Sequence, residues 1–313
     1  MIPRTSGTVF GGCEICGNAR WKTVYEGLVR DGAVGSWTAD AAQVGQCASC
    51  GVQRLEERSC RDESIYADAA YRALIGEGAF AKDFHGHHDA AQLKHLALLG
   101  SMLSLRGRVI ADVGCGGGSL LDMASGMASA CVGVEPNRDY HGDLKQKGYS
   151  AFSSCEEAAQ EWAGKVDVAV TLNVIEHVSD PVGFLRSMAG LLTDDGTIVV
   201  GTPNAGDWLL SQLPEYRAFF YRTVHRFYFD ADSLEQCARQ AGLAVSSVRY
   251  FQRYGLSNAM QWLRDRRPTG GQSLAGLADS DVDVLWIRHL ERTGQADQLF
   301  AVLRRQPPPS EAE

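Results

Sequence analysis

Two C-x-x-C pairs are the clearest chemical signal in this chain: Cys13 with Cys16, and Cys47 with Cys50. Each pair can direct two thiolates at one ion, and the glycine after each pair lets the backbone turn back tightly. Four thiolates would complete a tetrahedral Zn²⁺ and leave no open position for catalysis. We therefore predict a structural zinc ribbon. The alternatives are four reduced thiols without metal or a redox pair, although neither C-x-x-C begins a βαβ unit.

A glycine-rich turn between residues 109 and 135 forms the second chemical signal. An apolar run delivers Asp112 into the sequence Gly-Cys-Gly-Gly-Gly, and a helical pattern starts directly after it. Glycines allow left-handed dihedrals and close approach of a ligand, while a helix N-terminus offers unpaired N–H groups to an anion. A second apolar run ends on Glu135, where a βαβ unit places a ribose-binding carboxylate. The pattern predicts a nucleoside-containing cofactor, and a nicotinamide dinucleotide is one alternative.

Polar residues also follow two later strand-like runs. Residues 166–172 form a largely apolar run, as in a strand buried on both faces, and are followed by Asn173, Glu176 and His177. A loop over residues 204–229 then carries aromatic residues, arginines and His225. In open α/β sheets the site lies at the carboxyl ends of the strands, so both groups are candidates for it.

The loop residues have the chemistry of an acceptor site. Aromatic side chains can wall a pocket, and arginines can pair with a phosphate or carboxylate. The expected substrate-binding residues are Tyr221, Arg222, Arg226 and Tyr228. His225 titrates in the range of a general base, and the alternative is that it only packs and hydrogen-bonds ahead of the next helix.

These motifs together resemble class I S-adenosylmethionine-dependent methyltransferases of the ubiquinone-biosynthesis-like branch. The order Asp-x-Gly-x-Gly-x-Gly is similar to their first motif, and "DVAVTLNVIEHVSDP" and "LLTDDGTIVVGTPN" are similar to their fourth and fifth strand segments. The resemblance covers roughly residues 105–205. It implies an α/β fold with a Rossmann-like seven-stranded sheet of strand order 3-2-1-4-5-7-6, and S-adenosyl-L-methionine as cofactor.

The resemblance also implies roles for individual residues. Those expected to bind the cofactor are Asp112, Gly114, Cys115, Gly116, Gly118, Glu135 and Asn173. The expected catalytic residues are His225, His177 and Glu176. In plant-type small-RNA 2′-O-methyltransferases a similar E-x-x-E-H with a later histidine holds a divalent metal, so a second metal site is an alternative. Here Asn173 replaces the first glutamate, and an amide oxygen is a poorer ligand for a hard cation.

Composition and charge restrict the partners. The chain has 45% hydrophobic and 22% charged residues and a formal net charge of −8, which is an ordinary globular composition. No stretch approaches eighteen apolar residues and the start has no apolar signal region, so we expect a cytoplasmic protein without membrane spans. Residues 1–60 contain six basic and six acidic residues. This neutral balance argues against nucleic-acid binding, which requires clustered Lys and Arg.

The pattern predicts four regions. They are a zinc ribbon over residues 1–60, a helical linker or lid over 61–104, a methyltransferase domain over 105–305 and a disordered tail over 306–313. The domain carries a helical insertion at about 255–296, with Leu263, Leu274, Leu285 and Trp286 expected to be buried. The lid contains a cluster from His85 to Asp89. That cluster could ligate a metal or present a base, or it could be a turn between helices with Asp89 as N-cap.

The predicted function is methyl transfer to a small-molecule acceptor. An N-terminal cysteine-rich module also resembles the architecture of sugar C-methyltransferases, although those enzymes usually carry a larger C-terminal domain. We expect a nucleotide-linked sugar or a natural-product precursor as acceptor, with O-methylation ahead of N- or C-methylation. The alternatives are an RNA methyltransferase whose ribbon grips RNA and a non-catalytic scaffold that retains the fold. The sequence does not predict the oligomeric state.

Overall fold

The computed structural model describes residues 9–77, 81–268 and 280–306, which form two compact units. The first, here named the cysteine unit, comprises the described residues of Met1–Arg61, Pro203–Gln240 and Tyr250–Gln298. The second, the sheet unit, comprises those of Asp62–Thr202, Ala241–Arg249 and Leu299–Glu313.

The elements of both units follow in chain order. The strands are β1 (Trp21–Gly27), β2 (Ala42–Cys47), β3 (Gln53–Leu55), β4 (Val109–Val113), β5 (Ala130–Val134), β6 (Ser150–Phe152), β7 (Val166–Leu172), β8 (Leu192–Pro203), β9 (Phe227–Tyr228), β10 (Leu243–Phe251) and β11 (Gln298–Arg305). The α-helices are α1 (Ala70–Leu74), α2 (Ala81–Met102), α3 (Ser119–Ala124), α4 (His141–Gln146), α5 (Cys155–Trp162), α6 (Pro181–Leu191), α7 (Trp208–Gln212), α8 (Pro214–Phe220), α9 (Ala231–Gln240), α10 (Leu256–Asp265) and α11 (Ser280–Thr293). Short 3-10 helices span Glu57–Ser59, Glu63–Ala67 and Arg138–Tyr140.

The sheet unit is built on seven strands in the order β10-β11-β8-β7-β4-β5-β6. When only the strands of this sheet are numbered along the chain, starting with β4 as strand 1, the order read from the β6 edge is 3-2-1-4-5-7-6. This is the predicted order, so the predicted fold class is confirmed. Strand β4 pairs in parallel with β5 and β7, and β7 pairs in parallel with β8. The largely apolar run in β7 is buried over most of its length, as a central parallel strand requires.

The cysteine unit has its own four-stranded sheet in the order β1-β2-β3-β9. Strand β2 pairs antiparallel with β1 and β3, and β3 pairs antiparallel with β9. The fourth strand therefore comes from a segment more than 170 residues further along the chain than β3. Its two residues, Phe227 and Tyr228, are both buried.

Local signals in the sequence set the helix boundaries. Asp180 followed by Pro181 predicts a capped helix start; in α6 the Asp180 side chain accepts a hydrogen bond from the Gly183 N–H at 2.8 Å, and Pro181 occupies the first turn. The sequence also predicts a helix over residues 232–241 and a strand over 243–250, and the structure has α9 and β10 there. These boundaries differ by one residue from the structure because helix ends and strand ends carry the weakest sequence signals.

The interpretation of the cluster from His85 to Asp89 as a turn between helices is wrong. All five residues lie inside α2, which begins at Ala81. Gly86 does not interrupt the helix, and a Cβ atom added there would meet no atom within 4 Å. Asp89 therefore lies within the helix and does not cap it, and its carboxylate lies 3.4 Å from His85 Nδ1.

The described part of the predicted insertion is helical, but its buried face differs from our expectation. Leu263 in α10 is 44% exposed and Leu285 in α11 is 66% exposed, whereas Trp262 and Leu290 are buried. The apolar stripe of α10 is thus displaced by one residue, about 100° around the helix. Trp286 is half-buried, and Leu274 lies outside the described residues.

The two remaining expectations concern the C-terminal tail and membrane-spanning helices. Of the tail 306–313, only Gln306 lies within it, where its N–H donates to the Gly242 carbonyl at 3.2 Å. Across residues 9–77, 81–268 and 280–306, no helix is both long enough and apolar enough to span a bilayer.

Candidate functional site

The four cysteines of the two C-x-x-C pairs converge in the cysteine unit. Their sulfur atoms all lie within 4.8 Å of one another. Cys13 Sγ is 3.6 Å from Cys50 Sγ, and Cys16 Sγ is 3.5 Å from Cys47 Sγ. A tetrahedral Zn²⁺ with Zn–S bonds of about 2.3 Å holds its sulfurs about 3.8 Å apart. The arrangement is therefore compatible with one ion bound by four thiolates.

Each C-x-x-C pair forms the same tight turn. The Gly17 N–H donates to the Cys13 carbonyl at 2.7 Å, and the Gly51 N–H donates to the Cys47 carbonyl at 3.1 Å. Both glycines have left-handed backbones, with φ of 73° and 77°. This conformation costs glycine little, which explains why a glycine follows each pair.

In the sheet unit, the glycine turn between β4 and α3 has left-handed residues at alternate positions. Gly114, Gly116 and Gly118 have φ angles of 86°, 53° and 87°. A Cβ atom at Gly114 would lie 2.3 Å from Val174, and one at Gly118 would lie 2.6 Å from Leu144. Glycine is therefore required at these positions for both backbone and packing reasons.

Two carboxylates flank this turn at the ends of adjacent parallel strands. Asp112 is in β4 and Glu135 directly follows β5. Burial, together with the charge of Glu135, raises the pKa of Asp112 to about 7. Burial also raises the pKa of Glu135, whose two oxygens accept from the N–H groups of Gly116 and Asn137 at 2.8 and 2.9 Å. Cys115, between the glycines, is buried.

Helix α2 packs on the same turn. The Phe84 ring is buried, and a Cβ atom at Gly116 or Gly117 would lie 2.4 or 2.8 Å from it. His85 Nδ1 lies 3.1 Å from the Ser119 hydroxyl, at the start of α3. The cluster that starts at His85 thus anchors α2 beside the glycine turn.

A charged network continues from Phe84 along the segment that precedes the sheet. The Arg72 guanidinium lies 4.9 Å from the centre of the Phe84 ring and 2.6 Å from Glu77 Oε2. His88 Nε2 lies 3.1 Å from the same carboxylate. Burial acts to raise the pKa of Glu77, but the hydrogen bond from His88 and the charge of Arg72 outweigh it and hold the pKa at about 2.

The residues after β7 take a strained turn. Asn173 has a φ of 56°, an uncommon conformation for a side chain other than glycine, and its N–H donates to the Gly201 carbonyl at 2.8 Å. Glu176 is buried, and its Oε2 accepts from the Thr202 hydroxyl of β8 at 2.9 Å. Glu176 therefore ties the turn to the neighbouring strand.

His177 is held by aromatic residues of the preceding segment. Its Nδ1 lies 2.7 Å from the Tyr66 hydroxyl oxygen. The Tyr66 and Tyr71 rings lie 5.2 and 6.0 Å from the imidazole, both edge-on. This contact restricts the orientation of the imidazole.

In the cysteine unit, Tyr221 and Tyr228 are buried in the loop over residues 204–229, here named the acceptor loop because it carries the predicted substrate-binding residues. The Tyr221 hydroxyl donates to Gln53 Oε1 at 2.8 Å. The Tyr228 hydroxyl accepts from the Arg222 N–H at 2.8 Å and donates to the Arg222 carbonyl at 3.1 Å. Burial raises the pKa of Tyr221 to about 12 and raises that of Tyr228 further. These hydroxyls organise the loop from within.

The cationic residues of that loop have different partners. Arg226 forms an ion pair with Glu57, which also pairs with Arg54 at 2.6 Å. Arg222 Nη1 lies 3.4 Å from His225 Nε2. His225 is buried and lies in the cysteine unit, whereas Glu176 and His177 lie in the sheet unit.

The N-terminal module holds the backbone of the loop at several points. Arg30 donates its N–H to the Tyr221 carbonyl and accepts the Thr223 N–H, both at 3.0 Å. The Leu55 N–H donates to the Arg226 carbonyl at 3.0 Å. The N-terminal module that carries the four cysteines therefore also supports the loop.

Sequence reasoning missed Tyr66, Phe84 and Arg72 as site residues. All three lie in the segment that was predicted only as a helical linker or lid. An aromatic residue at helical spacing is equally typical of an ordinary core, so one sequence gave no signal to separate the two.

The strand order and the glycine turn define a class I methyltransferase fold. A chain in the complex between the Haloferax volcanii Trm112 methyltransferase activator and a methyltransferase superposes with a TM-score of 0.52 at 15% identity. The similarity covers 79% of this chain and 99% of that chain. At this identity it supports the fold alone.

Residues 85–248, just over half of the chain, match the methyltransferase domain family. The ubiquinone biosynthesis O-methyltransferase of Bordetella avium is 29% identical over 47% of this chain and 66% of its own length. That of Caulobacter vibrioides is 27% identical over 55% of this chain and 66% of its own length. The chain thus spans slightly less than two thirds of these relatives. It belongs to the methyltransferase domain family, among the S-adenosylmethionine-dependent class I methyltransferases.

Proposed function

We propose that this protein transfers a methyl group from S-adenosyl-L-methionine to a small-molecule acceptor. The observation that carries the proposal is the pair of carboxylates, Asp112 and Glu135, on either side of the glycine turn. Acidic groups at the ends of adjacent strands suit a cofactor that has ribose hydroxyls and cationic ammonium and sulfonium groups. The name of the relatives, ubiquinone biosynthesis O-methyltransferase, supports O-methylation.

The residues of the glycine turn would bind the cofactor. Glu135 can accept from ribose hydroxyls, and Gly114, Gly116 and Gly118 let a ligand approach the backbone. Asp112 would offset the positive charge of the ligand. Cys115 and Asn173 are the other two residues proposed to bind the cofactor. When bound, S-adenosylmethionine supplies an electrophilic methyl group.

The chain must then orient an acceptor and remove its proton. His225 is the proposed general base, because imidazole exchanges a proton near neutral pH. His177 and Glu176 are proposed to order the turn after β7, Glu176 through Thr202 and His177 through Tyr66. A divalent metal on Asn173, Glu176, His177 and His225 stays a prediction.

We propose a structural Zn²⁺ on Cys13, Cys16, Cys47 and Cys50. The mutual distances of the four sulfurs support it. The N-terminal module forms hydrogen bonds with the loop at Tyr221 and Thr223. An ion that stabilises the module would therefore also stabilise the acceptor loop.

The acceptor class is the finer part of the proposal. A nucleotide-linked sugar or a natural-product precursor fits the aromatic and arginine content of the loop that contains Arg222 and Tyr228. The net charge of −8 weighs against RNA as the substrate.

Calorimetric titration of metal-analysed protein with S-adenosylmethionine, and separately with NAD, tests the core of the proposal. We expect saturable binding of the methyl donor alone; binding of neither ligand would support a non-catalytic scaffold.

The base is tested separately by His225→Ala, which should cut turnover of an identified acceptor while leaving the affinity for S-adenosylmethionine unchanged. An unchanged rate would reject His225 as the base.

A further inference from the structure

The arginines around the acceptor loop differ in how their charge is compensated. Arg226 pairs with Glu57, and Arg61 pairs with Asp31 at 2.6 Å. Arg222, by contrast, has no carboxylate within ion-pair distance in the part of the chain that the structure describes. Its side-chain contact is Nη1 to His225 Nε2 at 3.4 Å, and its buried Nε has no hydrogen-bond partner.

The backbone of Arg222 is nevertheless held firmly. Its N–H and its carbonyl both bond to the hydroxyl of Tyr228, which is only 2% exposed. Arg222 also forms a parallel bridge with Arg30, whose backbone bonds to the residues on either side of Arg222. The backbone from which this side chain extends is thus held in place before any ligand arrives, which lowers the entropy cost of binding.

We propose that Arg222 binds an anionic group, a carboxylate or a phosphate, on the methyl acceptor. This inference rests on the proposed function and narrows its substrate class. A half-buried guanidinium without a counter-ion is unfavourable by itself, and an incoming anion removes that penalty. The planar fork of arginine matches the two oxygens of a carboxylate or phosphate with parallel hydrogen bonds.

The contact with His225 gives the same site a link to proton transfer. A guanidinium has only donors, so the nitrogen of His225 that faces it must be the unprotonated one. An anion that engages Arg222 would change the charge beside Nε2, a nitrogen of the proposed general base.

Anion binding can be measured without knowing the acceptor. Full-length, metal-loaded protein is titrated calorimetrically with inorganic phosphate and with benzoate. We compare the wild type with Arg222→Gln and Arg222→Lys. The charge-matched control is Arg264→Gln, at an exposed position of the same unit whose arginine pairs with Asp265.

We expect saturable binding of one of the two anions by the wild type and by Arg264→Gln. Affinity should fall about tenfold or more in Arg222→Gln, since a charge-assisted hydrogen bond is lost, and by less in Arg222→Lys, which keeps the charge without the fork. A preference for phosphate indicates a phosphorylated or nucleotide-linked acceptor, and a preference for benzoate indicates a carboxylic acid. Equal affinity in wild type and Arg222→Gln, or no saturable binding by the wild type, would overturn the inference.

A second readout separates this role from a structural one. The ¹⁵N shifts of the His225 imidazole should change when the anion binds to the wild type and should not respond in Arg222→Gln. S-adenosylmethionine is titrated into every sample. Cofactor binding without anion binding would reject the role of Arg222 and leave the proposed function intact. If the wild type does not bind S-adenosylmethionine, the proposed function is rejected, regardless of whether the anions bind.

Discussion

The hydroxyl oxygen of Tyr66 lies 2.7 Å from Nδ1 of His177. Tyr66 belongs to the short 3-10 helix Glu63–Ala67, ahead of the sheet, whereas His177 follows β7. One hydrogen bond therefore connects the segment before the sheet to the turn at the end of a central strand. Because the bond engages one ring nitrogen, it restricts the orientation of the imidazole.

Tyr66→Phe should release this constraint. We expect turnover of an identified acceptor to fall several-fold and the affinity for S-adenosylmethionine to stay within about twofold, since a neutral hydrogen bond contributes about 1 kcal/mol. The ¹⁵N shift of His177 Nδ1 should change, because that nitrogen loses its hydrogen-bond partner. Tyr71→Phe is the matched control, because it removes the hydroxyl of the neighbouring ring and leaves the bond to Nδ1. Unchanged ¹⁵N shifts in Tyr66→Phe would contradict the assigned role.

Asp112 should make the stability of the cofactor-free protein depend on pH. Its pKa of about 7 lies above the usual value of 3.8, so the folded state binds the proton more tightly than the unfolded state. The contribution of Asp112 to the free energy of unfolding is therefore most favourable at low pH and is lost as the pH rises from about 4 to about 7. The shift corresponds to about 4 kcal/mol at most.

Asp112→Asn removes this titration. The variant should gain stability relative to the wild type as the pH rises from 5 to 8 in urea unfolding experiments, and it should bind S-adenosylmethionine more weakly. A difference in unfolding free energy that does not vary with pH would show that Asp112 is not the titrating group.

Gly116→Ala should disrupt the glycine turn. The added Cβ would lie 2.4 Å from the Phe84 ring, and the φ of 53° is unfavourable for alanine. We expect at least a tenfold loss of affinity for S-adenosylmethionine, measured by calorimetry. The control is Gly126→Ala, where a Cβ meets no atom within 4 Å. Retained affinity in Gly116→Ala would place the cofactor elsewhere.

Removal of the metal should release the acceptor loop and leave the cofactor site intact. Cys16→Ser should lose the proposed zinc ion and increase hydrogen exchange of the Thr223 amide, because that amide donates to the Arg30 carbonyl of the N-terminal module. Affinity for S-adenosylmethionine should not change. Cys60→Ser is the control, since Cys60 lies in the same unit but outside the cluster. Unchanged metal content in Cys16→Ser would remove the zinc site.

The sequence was most informative where a local pattern had a local cause. The largely apolar run of β7 is buried, and the side chain of Asp180 caps the helix that follows it. The glycines at 114, 116 and 118 have left-handed backbones. Each of these features depends on only a few neighbouring residues. The sheet order followed from the resemblance that these motifs carry. The prediction of which helix face is buried was less successful, as Leu263 shows. Three- and four-residue spacings of apolar residues fit adjacent faces of a helix almost equally well.

The sequence by itself determined the class of protein, the cofactor motif and the pairing of the cysteines into two knuckles. Only the tertiary structure decided that β9 completes the sheet of the cysteine unit, that Phe84 packs on the glycine turn and that Tyr66 holds His177. It also separated Arg226, which Glu57 neutralises, from Arg222, which has no such partner among the described residues. Local patterns encode hydrogen bonds and dihedral preferences over a few residues. Contacts between residues far apart depend on the packing of the whole chain, which no local pattern records.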